Sequence, residues 1–355
     1  MSDRDHRIPV DRVHGHTPVL VEATLERLSP GPGEVMLDAT VGRGGHAEAI
    51  LPRLAPGGRY IGLDLDAENV AYARRRLDRV AQAKAAGVGE AAGEGGGSVG
   101  VVVRKGDFAE GSATLEALGV ERVDLLLADL GFASTQMDNA ERGMSFTADA
   151  PLDMRLDRES GPTAAALLAT LGEGELADIL WRFGEERFSR RIARKIVERR
   201  RDKPISTTRD LADLCASAYG PSGRRQRVHP ATRAFMALRI AVNRELERLE
   251  SLLETLPRLM APGGRAAIIS FHSLEDRAVK RAFRRYADAG AAERLTRKPV
   301  IADEAERAVN PRSRSAKLRA VRWVGLDAGP TVRWVGPDPG RQGRAPKPGD
   351  RGPGP

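Results

Sequence analysis

The sequence predicts an α/β fold in which a doubly wound, mainly parallel sheet is interrupted by an all-helical insertion. Three observations predict it: strand and helix patterns alternate over the first third of the chain, the alternation stops after Asp129, and it resumes near Ala231. Alternating strands and helices imply parallel strands joined by crossover helices. With 355 residues, the chain is long enough for one large domain that carries an insertion.

The strands of the first third are short apolar runs, as expected for strands that are covered on both faces. The segments that follow them show the longer period of amphipathic helices. We predict strands over 34–39, 59–64, 101–104 and 123–129, and helices over 46–54 and 67–83. Residues 87–100 include seven glycines and are predicted to form a flexible surface loop.

Beyond Asp129 the patterns are helical until the alternation resumes. Between 134 and 227 no strand pattern is convincing, and Thr207 with Asp210 is typical of a helix start. We predict helices over 163–171 and 185–201 and a third from Thr207, then a helix over 231–260, a strand over 265–270, a helix over 274–286 and strands near 317–324.

These patterns divide the chain into three predicted parts. Residues 1–133 and 228–326 are expected to form the α/β domain, and residues 134–227 a helical insertion that recognises substrate. Residues 327–355 are expected to be a disordered tail, because 7 Gly and 7 Pro make up 14 of these 29 residues.

Charge is unevenly distributed along the chain. Residues 1–180 carry 18 Lys and Arg against 29 Asp and Glu, a net charge of −11, whereas residues 181–355 carry 39 against 20, a net charge of +19. The basic second half is expected to face a polyanion, although a solvated basic surface is the alternative.

Cysteine content and hydropathy exclude several classes of protein. Cys215 is the single cysteine of the sequence, so no internal disulfide and no cysteine-built metal site can form. No apolar run approaches the ~18 residues that a membrane helix needs. The first residues also lack the apolar stretch of a signal peptide, so we expect a cytoplasmic protein with no membrane partner.

A glycine-rich turn follows the first predicted strand and is typical of a nucleotide site. Gly42 and Gly44 allow backbone N–H groups to approach a ligand, and the helix that follows favours an anionic group at its start. Asp64 ends the second strand, where an acid accepts hydrogen bonds from ribose hydroxyls. Together with Ala47, these glycines also match the dinucleotide pattern G-x-G-x-x-A, so a dehydrogenase is the alternative.

Two further features favour a class I methyltransferase that uses S-adenosylmethionine. Asp38 lies beside the glycine turn, where a carboxylate would repel a pyrophosphate but suit an ammonium or sulfonium group. After the third strand, Asp107 and Phe108 are an acid and an aromatic that suit the amino group and the ring of adenine, with core packing as the alternative for Phe108.

The residues that end the fourth strand bear on which atom is methylated. Cys215 lies in an apolar helical pattern and is expected to be a core residue, which argues against methylation of a ring carbon through a cysteine adduct. Asp129 and Phe132 place an acid and an aromatic where amino methyltransferases hold an exocyclic amine. The spacing permits methylation of an amino nitrogen without proving it.

Seven segments of the chain resemble the RsmH (formerly MraW) family of bacterial 16S rRNA (cytosine-N4)-methyltransferases. The resemblance runs in order from about residue 14 to 325. The segments are Gly15-His16-Thr17-Pro18-Val19-Leu20, Gly42-Arg43-Gly44-Gly45-His46, Ala140-Glu141-Arg142-Gly143, Pro151-Leu152-Asp153-Met154-Arg155, Gly184-Glu185-Glu186-Arg187-Phe188, His229-Pro230-Ala231-Thr232-Arg233 and Ser270-Phe271-His272-Ser273-Leu274-Glu275-Asp276-Arg277.

The resemblance implies an enzyme that transfers a methyl group from S-adenosylmethionine to the N4 of a cytosine in the decoding region of 16S rRNA. It implies cofactor contacts at Gly44, Gly45, His46, Asp64, Phe108, Asp129 and Gln136. His46 is expected to contact the cofactor through its backbone. Where the family usually reads Val-Ser after Asp-Leu-Gly, this chain has Phe132 and Ala133, which puts the local shape of the pocket in doubt.

Asp129 is also the candidate catalytic residue, with pure cofactor binding as the alternative. Candidate contacts to RNA are Arg190, Arg191, Arg194, Arg225, His229 and Arg233. For the arginines, the alternative is a solvated helix face. For His229, the alternative is a helix cap. No His, Asp and Glu cluster at ligand spacing predicts a metal site.

The expected partner is 16S rRNA, in the small ribosomal subunit or its precursor, and a homodimer is compatible with the sequence. Two other functions stay open: a DNA amino methyltransferase, and an RNA-binding factor with a degenerate cofactor pocket. The strand-end acids Asp38, Asp64 and Asp129 count against the second of these.

Overall fold

A twisted sheet forms the centre of the fold. The computed structural model describes residues 17–85, 98–132, 136–137, 139–220 and 228–325. Within them the sheet has seven strands in the order β3-β2-β1-β4-β5-β7-β6. The strands are β1 (Val35–Asp38), β2 (Arg59–Asp64), β3 (Gly100–Lys105), β4 (Val123–Asp129), β5 (Met260–Ser270), β6 (Ala292–Arg294) and β7 (Lys317–Trp323).

The strand order places a switch point between β1 and β4. Strands β1 to β5 run parallel to one another, whereas β7 runs antiparallel to both β5 and β6. The chain moves outward from β1 to β3 and then returns to β4 on the other side of β1. Ligands of open α/β sheets bind at such a reversal, beyond the carboxyl ends of the strands. The site is therefore expected beyond Asp38 and Asp129.

Helices cover both faces of the sheet. The helices of the described residues are α1 (Val21–Leu28), α2 (Gly45–Leu54), α3 (Ala67–Ala85), α4 (Gly111–Ala117), α5 (Ala164–Thr170), α6 (Glu173–Gly184), α7 (Ser189–Asp202), α8 (Thr208–Tyr219), α9 (Ala231–Asn243), α10 (Glu245–Leu259), α11 (Ser273–Asp288) and α12 (Glu304–Val309). Neighbouring strand residues such as Met36 and Leu37 belong to different hydrophobic clusters, because successive side chains point to opposite faces. The α/β class and the doubly wound sheet are thereby confirmed. No helix in the described ranges is both long and apolar enough to span a membrane.

Helices α5 to α9 build a third hydrophobic cluster of their own. Leu180, Ile192, Leu211 and Leu238 are all at most 1% exposed within it. The described residues up to Gly325 nevertheless form one compact unit. The division into an α/β domain and a substrate-recognition insertion therefore stays a prediction. The glycine-rich loop from residue 87 to 97, Ala133, Arg225 and the tail at 327–355 lie outside the described residues.

Two helix boundaries differ from the sequence prediction because non-glycine residues adopt the left-handed conformation. Glu185 (φ 49°) ends α6, so the helix predicted from 185 begins at Ser189 instead, and α6 itself was not predicted. Arg244 (φ 50°) divides the helix predicted over 231–260 into α9 and α10. Side-chain chemistry gives little warning of such a break, since these residues are seldom left-handed.

Gly184 lets α6 pack closely against α9. A Cβ atom at Gly184 would lie 2.6 Å from the carbonyl oxygen of Arg233, which is backbone and cannot move aside cheaply. We expect Gly184→Ala to lower the free energy of unfolding by about 1–3 kcal/mol through overpacking. Gly174 lies in the same helix, and a Cβ atom added there would have no heavy atom within 4 Å. Gly174→Ala should be neutral or stabilise by up to about 1 kcal/mol. Equal urea midpoints for the two variants would contradict this account.

Candidate active site

Three parallel strands end in an aspartate, and the same turn follows each of them. Each carboxylate accepts a hydrogen bond from the backbone N–H two residues further on: Asp38 from Thr40 (3.1 Å), Asp64 from Asp66 (2.8 Å) and Asp129 from Gly131 (3.1 Å). The backbone N–H of Asp129 in turn donates to the Thr40 hydroxyl at 2.6 Å, which ties the turn after β1 to the end of β4. The carboxylates are thus fixed at one edge of the sheet.

A cleft of about 960 Å³, counted with the space open to solvent, lies beyond this edge. Among the predicted cofactor residues, its walls contain Gly45, His46, Asp64, Phe108, Asp129 and Gln136. Gly44 does not line the cleft. It precedes α2 with φ 79° and is covered by Leu77, so its part is to allow the turn.

Asp64 places hydrogen-bond acceptors at the cleft wall, where a ribose is predicted. Its carboxylate accepts from the backbone N–H groups of Gly42 (2.9 Å) and Asp66 (2.8 Å), on different oxygens, and lies at the cleft wall. The Asn69 side-chain amide also lies 3.4 Å from each oxygen. Because these contacts are long and weak, the carboxylate keeps acceptor capacity for a hydroxyl. Burial raises the pKa of Asp64 to about 6.

The first turn of α2 contributes backbone donors to the cleft. Gly45 and His46 line it, and the first N–H groups of a helix have no partner within the helix. Such an end favours an anionic group, as the carboxylate of a methionine moiety would supply. The His46 side chain is buried, with Nε2 3.4 Å from an Asp129 carboxylate oxygen.

Asp38 and Asp107 do not act as the sequence suggested. Asp38 is 1% exposed, accepts a hydrogen bond from the Tyr60 hydroxyl at 2.5 Å, and does not line the cleft. Burial raises its pKa to about 6. Its hydrogen-bond partners are Tyr60 and the backbone N–H of Thr40, so it supports the turn rather than a ligand in the cleft. Asp107 pairs with Arg248 at 2.8 Å and accepts from the Ala109 backbone N–H, so Phe108 alone of this pair reaches the cleft.

A buried network closes one side of the cleft. Asp66 accepts from the Gln136 side-chain amide at 2.8 Å and pairs with Arg142, whose guanidinium also donates to the Leu156 carbonyl at 3.2 Å. Asp66, Gln136 and Arg142 are each less than 7% exposed. Sequence reasoning missed this role of Asp66 and Arg142. The Ala140–Arg142 turn within the family motif was the available signal.

A second cavity, of about 1530 Å³ with its solvent-open space, meets the cleft at β4. Asp129, Gly131 and Phe132 line both spaces, so they form the partition between them. Gly131 is required there, because a Cβ would lie 2.6 Å from the ring of Phe271. The remaining walls of the second cavity include Met236, Arg239, Phe271 and His272.

Phe132, which departs from the family pattern, is covered by Arg239. The guanidinium carbon of Arg239 lies 3.9 Å from the ring centroid of Phe132. Glu245 holds one edge of this guanidinium with both carboxylate oxygens, which accept from Nε at 2.9 Å and from one Nη at 3.0 Å. A cation over a ring and a bidentate carboxylate fix both side chains. The sequence pattern indicates neither Arg239 nor Glu245, because they flank the helix break at Arg244, which the pattern does not predict.

The structure corrects the expectation that no cluster of metal-ligand residues exists. Glu245, His272 and Glu275 bring one ligand atom each within 4.8 Å of one another. These groups already have protein partners: Arg239 pairs with Glu245, while His272 Nδ1 accepts from the Glu275 backbone N–H at 3.4 Å. His272 and Glu275 thereby cap α11.

The candidate RNA-binding residues that the structure describes line neither the cleft nor the second cavity. Arg190, Arg191 and Arg194 are exposed on α7, where Arg194 lies 3.6 Å from Glu173. Arg233 donates to the Glu185 carbonyl at 3.0 Å. His229 stacks on Phe146 with ring centroids 4.7 Å apart, and its Nδ1 accepts from the Ala231 backbone N–H. Their part in RNA binding stays a prediction.

The doubly wound sheet and the cleft at its switch point define an α/β methyltransferase that uses S-adenosylmethionine. The chain belongs to the MraW methylase family, whose family model matches residues 13–324. It is 49% identical over 317 residues to "Ribosomal RNA small subunit methyltransferase H" of Sorangium cellulosum, covering 89% of this chain and 93% of that protein. It is 44% identical over 328 residues to the protein of the same name from Syntrophobacter fumaroxidans, covering 88% and 98%.

The raised pKa of Asp64 makes cofactor affinity depend on pH. The carboxylate accepts from hydroxyls and the protonated acid loses this capacity, so affinity is lost as the pH falls through the pKa of about 6. Calorimetry should give a constant Kd for S-adenosylmethionine well above that pH and a Kd that rises towards about tenfold per pH unit below it.

Asp64→Asn is the matched control for this titration, because it leaves Asp38 unchanged. The variant should bind more weakly and lose the step near the pKa of Asp64. A step of unchanged size in Asp64→Asn would assign the titration to another group.

Proposed function

We propose that this chain transfers a methyl group from S-adenosylmethionine to the exocyclic N4 of a cytosine in the decoding region of 16S rRNA. The observation that carries the proposal is that Asp129, Gly131 and Phe132 line both the cofactor cleft and the second cavity. A base in the second cavity would meet the cofactor across this partition. The names of the relatives support small-subunit rRNA as the substrate. We infer that the enzyme acts in the cytoplasm, on the subunit or its precursor.

The bound cofactor supplies an electrophilic methyl group on a sulfonium. The lone pair of N4 would form the new N–C bond as the S–C bond breaks with its electrons left on sulfur, and N4 would then lose a proton. An exocyclic amine is a weak nucleophile, and the chain's task is to hold it in line and to accept from its N–H groups. Asp129 is the carboxylate at the partition, with one oxygen engaged by the Gly131 backbone N–H. We assign it the acceptor role.

The alternative of carbon methylation through a cysteine adduct has no support in the site. Cys215 is fully buried in the hydrophobic cluster of α5 to α9, and burial raises the pKa of its thiol well above the ordinary value. A thiol that stays protonated is a poor nucleophile. Cys215 is a core residue, as predicted.

Product analysis tests the proposed reaction. Purified protein and S-adenosylmethionine are incubated separately with small ribosomal subunits, protein-free 16S rRNA and duplex DNA, and nucleosides are identified by mass spectrometry. We expect N4-methylcytidine at one position of the rRNA. Methylation of carbon 5, or of duplex DNA in preference to both ribosomal substrates, would overturn the proposal.

The acceptor role of Asp129 predicts a loss of rate rather than of binding alone. Asp129→Asn should lower the single-turnover rate by about 100-fold or more at saturating cofactor. Asp107→Asn is the matched control, because Asp107 makes the same turn after β3 but lines neither space. If saturating S-adenosylmethionine restores the wild-type rate in Asp129→Asn, the residue only binds the cofactor.

A further inference from the structure

One exposed face of α11 is strongly basic. Arg277, Lys280, Arg281 and Arg284 follow one another at spacings of one to three residues and lie within two turns of the helix, and all four are exposed. Residues three and four apart, such as Arg277 with Lys280 and Arg281, share one side of a helix. The opposite side, which includes Val279, Ala282 and Tyr286, packs into the sheet core. We call these four residues the α11 basic face.

The α11 basic face leads into a pocket that none of the steps above uses. The pocket has a volume of about 600 Å³ with its solvent-open space. Its walls are Lys280, Phe283, Arg284, Asp288, Arg294, Thr296, Arg297 and Arg319. Five of these eight residues are cationic and one is acidic, so the pocket suits an anion.

Most of this positive charge is not neutralised locally. Arg319 is paired with Asp276 at 2.7 Å, and Arg284 lies 3.4 Å from Asp288. For Lys280, Arg294 and Arg297, no carboxylate of the described chain lies within 4.0 Å. Exposed cations held close together without counter-charges attract a polyanion strongly.

The α11 basic face also joins the active site to the predicted RNA contacts. His272, which caps α11, lines the second cavity. Arg277 lies 3.5 Å from the Glu185 carboxylate, and Arg233 donates to the carbonyl of the same residue. A helix of 16 residues spans about 24 Å. The pocket therefore lies within one helix length of the edge where the chemistry takes place.

We propose that this pocket binds a backbone phosphate of the RNA substrate, which follows the α11 basic face from the active site. The inference rests on the proposed function, since it supplies a second anchor for the same RNA. Arginine forks match phosphate oxygens in pairs, which suits a phosphodiester. A membrane surface fits less well, because the apolar side of α11 is buried in the protein and offers nothing to insert.

The test compares two triple variants of equal charge change. Lys280→Ala/Arg294→Ala/Arg297→Ala removes pocket cations, and Arg53→Ala/Arg79→Ala/Arg258→Ala removes exposed arginines from α2, α3 and α10. We expect the pocket variant to bind 16S rRNA at least about tenfold more weakly. The slope of log K against log salt should flatten by about one for each phosphate that the protein no longer neutralises. The control variant should resemble wild type.

Kinetics separate the pocket from the proposed reaction. The pocket variant should raise KM for rRNA, keep kcat at saturating rRNA, and leave the Kd of S-adenosylmethionine unchanged. Wild-type affinity and salt slope in the pocket variant would overturn the inference, as would loss of binding to anionic phospholipid vesicles with rRNA binding intact. Failure of the proposed function would instead show as absent methylation in the wild-type protein.

Discussion

The active site depends on one repeated interaction, in which a carboxylate at the end of a parallel strand accepts from the backbone N–H two residues further on. The turn holds Asp38, Asp64 and Asp129 at the carboxyl edge of the sheet, and Asp107 repeats it after β3. Because the donor is the backbone N–H two residues later, the chain turns directly after each of these aspartates. The Asp38 carboxylate accepts from Tyr60, and the Asp107 carboxylate pairs with Arg248. Asp64 and Asp129 are therefore the two that face ligands in the cleft.

The helical part of the chain is tied to this edge by polar contacts rather than by its own hydrophobic cluster. The Asn243 side chain accepts from the Leu156 backbone N–H at 2.7 Å and donates to the Met154 carbonyl at 2.8 Å. The Arg142 guanidinium donates to the Leu156 carbonyl of the same segment and also pairs with Asp66. Buried polar groups of this kind are costly to leave unpaired, so they fix one arrangement of these segments at the edge of the sheet.

The sequence predicted β2 and β4 to the residue, since both are buried apolar runs that end in an acid. Six of the cofactor residues that the family resemblance implied line the cleft. The sequence could not predict the breaks at Glu185 and Arg244, because left-handed backbone at those residues follows from tertiary contacts. Asp38 was misjudged for a related reason: order along the chain places a residue at a strand end, but only packing against Tyr60 decides where its carboxylate points. Arg239 and its partner Glu245 lie on either side of the break at Arg244, so the contact of Arg239 with Phe132 could not be predicted either.

The central claim is that the methyl group crosses the partition formed by Asp129, Gly131 and Phe132. A crystal structure of the protein with S-adenosylhomocysteine and cytidine tests it most directly. The account predicts ribose hydroxyls on the Asp64 carboxylate, the cytosine ring in the second cavity, and N4 within hydrogen-bond distance of Asp129 and facing the sulfur. Cytidine bound outside the second cavity, or with N4 turned away from Asp129 while the cofactor lies in the cleft, would contradict it.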